Sequence, residues 1–313
     1  MLERVARVLC CARCGGDLSR EFPLQKVGGR LRFADLRCRQ CAAGWAIREG
    51  VGIFGKPAPE PMDWRADPGL FARTPDEEYW RTYLAALPPE AERGVEQALS
   101  ALEGCVRGLS GLLVDFSTCT GHVLRRVTGP GASRELFVGL DPDLPRLYAT
   151  QAALRKDRCY SRVSLAQVEP RHWPLRDRSA QGVVSFYGPS IVPYARTWMD
   201  EVARVLRPGC PFVFSSLLTR ERTLTVRQAA RLHLEETLTE PRLRQALEHS
   251  GLLVDSWEVI AHGSRWPRNP FDPLPLEGDP WSHVLVRARR RRPDGVPEAV
   301  QLLEPTTFPS AAG

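Results

Sequence analysis

The segment Leu112–Gly121, reading Leu-Leu-Val-Asp-Phe-Ser-Thr-Cys-Thr-Gly, limits the architecture more than any other part of the chain. A short apolar run that ends in an acid and passes through small residues into a helix is how a nucleotide-type site opens in an α/β sheet. Such loops usually carry glycine at alternate places, because glycine admits left-handed backbone and lets a ligand approach closely. Here those places hold Ser117, Cys119 and Gly121. The acid before them is Asp115.

Downstream of this loop, apolar runs alternate with helical spacing. Strands are expected at Leu112–Phe116, Leu136–Leu140, Arg162–Leu165, Gly182–Phe186, Pro211–Leu217, Leu252–Ile260 and Trp281–Arg287. Helices are expected at Val123–Val127, Trp198–Leu206 and Arg242–Ser250. Upstream, Glu77–Leu87 has Tyr79, Tyr83, Leu84 and Leu87 at helical spacing, and Glu90–Leu109 continues after Pro88-Pro89. Alternation of this kind gives the α/β class: a Rossmann-like, doubly wound, mostly parallel sheet of seven strands.

A different module precedes it. Cys11-Ala-Arg-Cys14 and Cys38-Arg-Gln-Cys41 form two C-x-x-C pairs, the spacing with which four thiolates close a tetrahedral zinc site. A disulfide framework or a redox pair is disfavoured, because the segment lacks a βαβ pattern and the chain reads as cytoplasmic. Gly28-Gly29 marks a hairpin turn, and Trp45, Ile47, Val51 and Ile53 supply apolar cover. The module is a small zinc ribbon, and Cys11, Cys14, Cys38 and Cys41 are its expected ligands, holding a structural Zn²⁺. The organisation read from these patterns is a ribbon over residues 1–55, a proline-rich linker over 56–69, the α/β domain over 70–292 and a loose tail over 293–313.

Composition narrows the function classes. With 313 residues, 43% hydrophobic and 26% charged, the chain has the make-up of a soluble globular protein. It contains no apolar run of bilayer length, and Met1–Leu9 lacks the continuous apolar core of a secretion signal, so a cytoplasmic location with no membrane partner is expected. A net charge of +6 and a pI near 9.0 invite a nucleic-acid reading. The positive charge is nearly all arginine, scattered except for Arg287 and Arg289–Arg292, and reads as a solvated charged terminus.

The second strand ends at Asp141 in Leu136-Phe-Val-Gly-Leu-Asp141, placed to accept hydrogen bonds from ribose hydroxyls. Glu169 precedes Trp173-Pro174-Leu175, and Glu201-Val-Ala-Arg204-Val-Leu-Arg-Pro208-Gly209 follows. On these residues the chain, from about Leu109 to Arg287, resembles the class I S-adenosylmethionine-dependent methyltransferases, specifically the "type 11" group. The resemblance implies that Asp115, Ser117, Cys119 and Gly121 face the methionine part of S-adenosylmethionine. It further implies that Asp141 holds the ribose and Glu169 lies near the adenine amino group. Tyr187, in Tyr187-Gly-Pro-Ser190 after the fourth strand, would border the acceptor. The chain departs from the family pattern at Cys119, at Gly182, where an aspartate is common, and at Cys210, which replaces the second glycine of Pro-Gly-Gly.

Methyl transfer from a sulfonium needs mainly orientation, and a base only where the acceptor must lose a proton. Tyr187, His172 and His122 are the candidates for that base, each with an ordinary reading beside it: a solvated loop residue or a first-turn helix residue. The methyl acceptor is not identified by the sequence. A small molecule and an RNA are both open, as is a partner protein docked on the ribbon. The altered loop also leaves a second reading, a catalytically silent methyltransferase-like module that serves as a binding scaffold.

Overall fold

The computed structural model describes residues 1–55, 76–129, 135–267 and 274–292; the linker expected at 56–69 and the tail at 293–313 lie outside them. The first turn of helix, α1 (Glu3–Ala6), leads into four antiparallel strands: β1 (Leu18–Val27), β2 (Arg30–Cys38), β3 (Gly44–Arg48) and β4 (Val51–Ile53). Gly28 and Gly29, at φ 55° and 73°, make the turn between β1 and β2 that only residues tolerant of left-handed backbone form readily.

Two helices follow, α2 (Asp76–Ala86) and α3 (Pro89–Val106). Proline in the first turn of α3 costs no hydrogen bond, and Glu90 and Glu92 there complement the helix dipole. Its buried residues Ala91, Val95, Ala98, Leu99, Leu102 and Val106 recur at helical spacing and form the stripe that packs on the sheet. Gly94 lies in that stripe because a Cβ there would meet Ala261 at 2.8 Å and the His283 ring at 3.0 Å.

The remainder alternates as expected: β5 (Leu112–Phe116), α4 (His122–Val127), β6 (Leu136–Asp141), α5 (Leu144–Lys156), β7 (Val163–Gln167), β8 (Gly182–Phe186), α6 (Gly188–Ile191), α7 (Ala195–Val205), β9 (Pro211–Thr219), α8 (Leu224–Arg231), α9 (Glu240–His249), β10 (Leu252–Gly263) and β11 (Trp281–Arg290). The strand order is β1-β2-β3-β4-β7-β6-β5-β8-β9-β11-β10. Strands β7-β6-β5-β8-β9 are parallel, while β11 runs antiparallel to both β9 and β10. These seven strands are the Rossmann-like sheet that the alternation implied.

The ribbon does not stand apart from that sheet. Strand β4 pairs in parallel with β7, Val51 opposite Leu165 and Ile53 opposite Gln167, so the ribbon extends the central sheet to eleven strands. One buried cluster runs through both parts, joining Met1, Val5, Leu31 and Ile47 to Val114, Val138, Ala166 and Trp173. Burying an aliphatic side chain of this size contributes about 1.5–3 kcal/mol, so a handful of such contacts welds the two parts together. Arg30 adds a polar tie: its guanidinium donates to the backbone carbonyls of Tyr160, Ser161 and Val163, and lies 4.1 Å above the Tyr160 ring.

Candidate cofactor site and cysteine knuckles

Parallel strands β5 and β6 are adjacent, so their C-terminal ends bring Asp115 and Asp141 to the same edge of the sheet. The loop after β5 then folds back on itself. Ser117, Cys119 and Gly121 all adopt left-handed backbone, at φ 58°, 48° and 74°. These are the three places where the loop pattern calls for glycine, and here two L-residues hold that conformation, a strain of order 1 kcal/mol each. Contacts from every side hold the turn. Thr118 N–H donates to Leu140 O at 3.1 Å, Gly121 N–H to Thr118 O at 2.7 Å, and Thr150 Oγ1 to Cys119 O at 2.7 Å.

Both acids are buried and engaged. Asp141 Oδ2 accepts from Cys119 N–H at 2.9 Å, and Oδ1 from Asp143 N–H at 3.0 Å. Asp115 Oδ2 accepts from the Thr118 hydroxyl. Burial pushes the Asp115 carboxyl up to about 7; the Thr118 hydrogen bond opposes the rise and the neighbouring Asp141 adds to it. Glu169 follows β7, half-buried, with its carboxylate 3.5 Å from Arg171 Nε.

One residue that the sequence did not single out sits among these groups. Helix α5 starts at Asp143, whose Oδ1 accepts from Arg146 N–H at 3.0 Å. The Arg146 side chain is 3% exposed and turns into the loop, where Nη1 lies 2.9 Å from Cys119 Sγ and Nε 3.6 Å from Asp143 Oδ2. The cap Asp143-Leu-Pro after the strand-end acid was the available signal, since it starts a helix whose third residue must lie beside the loop.

The three candidate bases do not converge. His122, the first residue of α4, stacks on Trp80 with centroids 3.9 Å apart, and Trp80 in turn meets Tyr83 and the edge of Phe186. Phe186 packs on Tyr187 at 4.1 Å, and Tyr187 packs on His283 at 4.9 Å with Oη 3.4 Å from Nδ1. A continuous run of rings thus links His122 to Tyr187, from α2 across the end of β8 to β11. Burial pushes both His122 and His283 down to about 3, so each imidazole is neutral at physiological pH. The Nε2 atoms of both are buried with no hydrogen-bond partner among the described residues. His283 was legible only through strand alternation, which puts Trp281, His283 and Leu285 on one face of β11. His172 lies elsewhere: it is exposed and lines a cleft of about 880 Å³ together with Cys11, Cys14, Arg176 and Arg204.

The four cysteines at the other end of the chain do converge. The sulfurs of Cys11, Cys14, Cys38 and Cys41 all lie within 4.8 Å of one another, with Cys11–Cys41 at 3.6 Å and Cys14–Cys38 at 3.5 Å. A tetrahedral zinc with Zn–S of ~2.3 Å needs sulfurs about 3.8 Å apart, so the cluster fits that ion. Backbone N–H groups of Arg13, Gln40 and Cys41 point at the sulfurs at 3.4 Å, and Trp45 Nε1–H donates to Cys11 Sγ at 3.3 Å. Such donors stabilise thiolates and set the orientation of the ligands. Four protein sulfurs leave no open position, the mark of a structural rather than a catalytic site.

The comparisons with known proteins agree with this geometry. Residues 114–214 match the family model for a methyltransferase domain. A provisionally named methyltransferase of Bacillus halodurans C-125 is similar over 63% of this chain and 100% of its own, at 14% identity and a TM-score of 0.50. A geranyl diphosphate methyltransferase solved with S-adenosylmethionine is similar over 72% of this chain and 92% of its own, at 16% identity and a TM-score of 0.50. The geranyl diphosphate C-methyltransferase of Streptomyces coelicolor A3(2), solved with Mg²⁺, geranyl-S-thiolodiphosphate and S-adenosyl-L-homocysteine, gives 13% identity, 72% and 85% coverage and a TM-score of 0.50. No curated protein matches the chain in sequence. Residues 114–214, which span strands β5 to β9, thus carry a match to a methyltransferase domain, and the solved structures share the fold of that sheet.

Proposed function

We propose that the chain transfers a methyl group from S-adenosylmethionine to a small-molecule acceptor, with a structural zinc in its ribbon. The observation that carries this reading is the loop 117–121, which keeps left-handed backbone at all three glycine places although two of them are not glycine. Left-handed backbone at non-glycine places of a strand-end loop is a kind of strain that collects at ligand sites. The acids fit the cofactor as well. Asp141 at the end of β6 stands where ribose hydroxyls are bound in such sheets, and Asp115 offers a carboxylate to the positively charged methionine end. Gly121 and Ser117 would line the same end, and Glu169 the adenine.

Bound there, S-adenosylmethionine supplies an electrophilic methyl group. The protein's part is to orient the acceptor and exclude water, and the packed rings of Trp80, Phe186 and Tyr187 would form a wall suited to both. With His122 and His283 neutral, that wall carries no fixed charge, which favours an uncharged, flat or apolar acceptor. Tyr187, whose hydroxyl lies 3.4 Å from His283 Nδ1, would receive or orient a proton should the acceptor carry one. His172, beside the cysteine knuckles, takes no part in this reading.

A second reading, the silent scaffold, is favoured by one observation: the Arg146 guanidinium packed against Cys119. Calorimetric titration of the metal-loaded protein with S-adenosylmethionine and with its demethylated product separates the two. Micromolar binding that is lost in Asp141→Ala supports the enzyme. Failure of both ligands to bind folded protein leaves the scaffold. An RNA acceptor would instead reveal itself by binding that weakens steeply with salt.

A further inference from the structure

A buried cation in a site meant for a cationic ligand is unusual chemistry. S-adenosylmethionine carries a sulfonium charge that is absent from S-adenosylhomocysteine, the product of methyl transfer. We propose that Arg146 is an electrostatic plug in the cofactor site, which disfavours the charged methyl donor and favours the demethylated product. The proposal rests on the cofactor assignment above and concerns what this chain's own residues do to it.

The guanidinium is placed by two anchors. Asp143 caps α5 through Arg146 N–H and lies 3.6 Å from its Nε, so backbone and side chain are fixed by one residue. Cys119 Sγ then receives Nη1 at 2.9 Å, which directs the charge onto the left-handed turn. With glycine at position 119 the guanidinium would have no such acceptor. The side chain that breaks the glycine pattern and the buried arginine therefore form one arrangement.

Charge balance at the site follows from these contacts. Burial works against the Arg146 charge, but Cys119, Asp141 and Asp143 outweigh it and the guanidinium stays protonated. Asp115, held near neutrality, is only partly ionised at physiological pH. Asp141 thus acts on Arg146, and little of its pull remains to attract a sulfonium. Two unit charges within ~10 Å in a protein interior of effective dielectric ~20 shift an equilibrium by at least about tenfold.

Titration of the full-length, metal-loaded protein with S-adenosylmethionine and S-adenosylhomocysteine tests this, using wild type, Arg146→Met, Arg146→Gln and Arg146→Lys. The wild type is expected to bind the homocysteine form at least tenfold more tightly. Both neutral variants should tighten S-adenosylmethionine by tenfold or more and narrow that ratio, while Arg146→Lys keeps it. Arg146→Gln keeps a polar, neutral side chain at the site, so it carries the test where Arg146→Met does not fold. A ratio unmoved by the neutral variants, or weaker S-adenosylmethionine binding in them, overturns the plug and leaves the cofactor assignment standing. Absence of binding by either ligand in wild type and all variants overturns both.

Discussion

Replacing Cys119 by glycine pits backbone strain against charge burial, and the structure says which wins. Glycine relieves a φ of 48°, a gain of about 1 kcal/mol. The same change restores the freedom of glycine to the unfolded chain, which costs about 0.5–1 kcal/mol, so the backbone terms nearly cancel. What is left is the sulfur. Its removal deprives a guanidinium that is 3% exposed of the acceptor 2.9 Å from Nη1. An unsatisfied buried donor costs about 1–3 kcal/mol. The sum is a loss of roughly 2 kcal/mol, or about 3 °C in melting midpoint for a protein of this size. Scanning calorimetry of the unliganded, metal-loaded protein reads it directly. A midpoint that rises on Cys119→Gly would mean that strain dominates, and would refute the account of the thiol as a partner of Arg146.

Three other outcomes are expected. Cys14→Ser and Cys38→Ser should each release the metal, and one zinc per chain retained in both variants, by elemental analysis, would dismiss the four-thiolate site. Arg30→Ala should lower the midpoint of a single melting transition by about 2–3 kcal/mol of stability, since it removes three carbonyl contacts and the Tyr160 stack. A separate early transition for the ribbon would contradict the continuous sheet. Asp115, raised from 3.8 to about 7, binds a proton in the native chain that the unfolded chain has lost. Its contribution therefore makes stability fall as pH rises from about 4 to 7, with no further change above. Because a cationic ligand favours the ionised carboxyl, S-adenosylmethionine should bind more tightly at pH 8 than at pH 6 and release a proton. Titrations in buffers of different ionisation heat that show no release, or none of the pH slope lost in Asp115→Asn, would count against it.

The parallel strands were legible because strands buried on both faces are continuous apolar runs between glycines and turns. Leu112–Phe116 and Gly182–Phe186 end where the sequence placed them, and the longer strands β9, β10 and β11 each run past their expected ends. Helix α5 was not singled out, and its inner face explains why. Among its buried residues are Arg146, Thr150 and Gln151, which serve the loop and the ribbon. Thr150 bonds Cys119 O, and Gln151 bonds Glu49 O and the Tyr160 hydroxyl. A helix that faces polar work shows little apolar period, so its most consequential side chain escaped notice. The cysteine spacing announced the knuckles, but the junction with the sheet rests on three residues of β4 and a partner, β7, far along the chain. Pairing between such distant segments leaves no local trace.

That junction has a consequence for solubility. A bare β7 would end the parallel sheet in a row of unpaired peptide groups, the kind of border on which chains stack into aggregates. The ribbon covers it and moves the border out to β1, where Arg20, Glu21 and Lys26 stand and Pro23 has no N–H to offer. A zinc held by the knuckles would pin the ends of β1 and β2, and so would guard the outer border against self-association as well as staple its own small module.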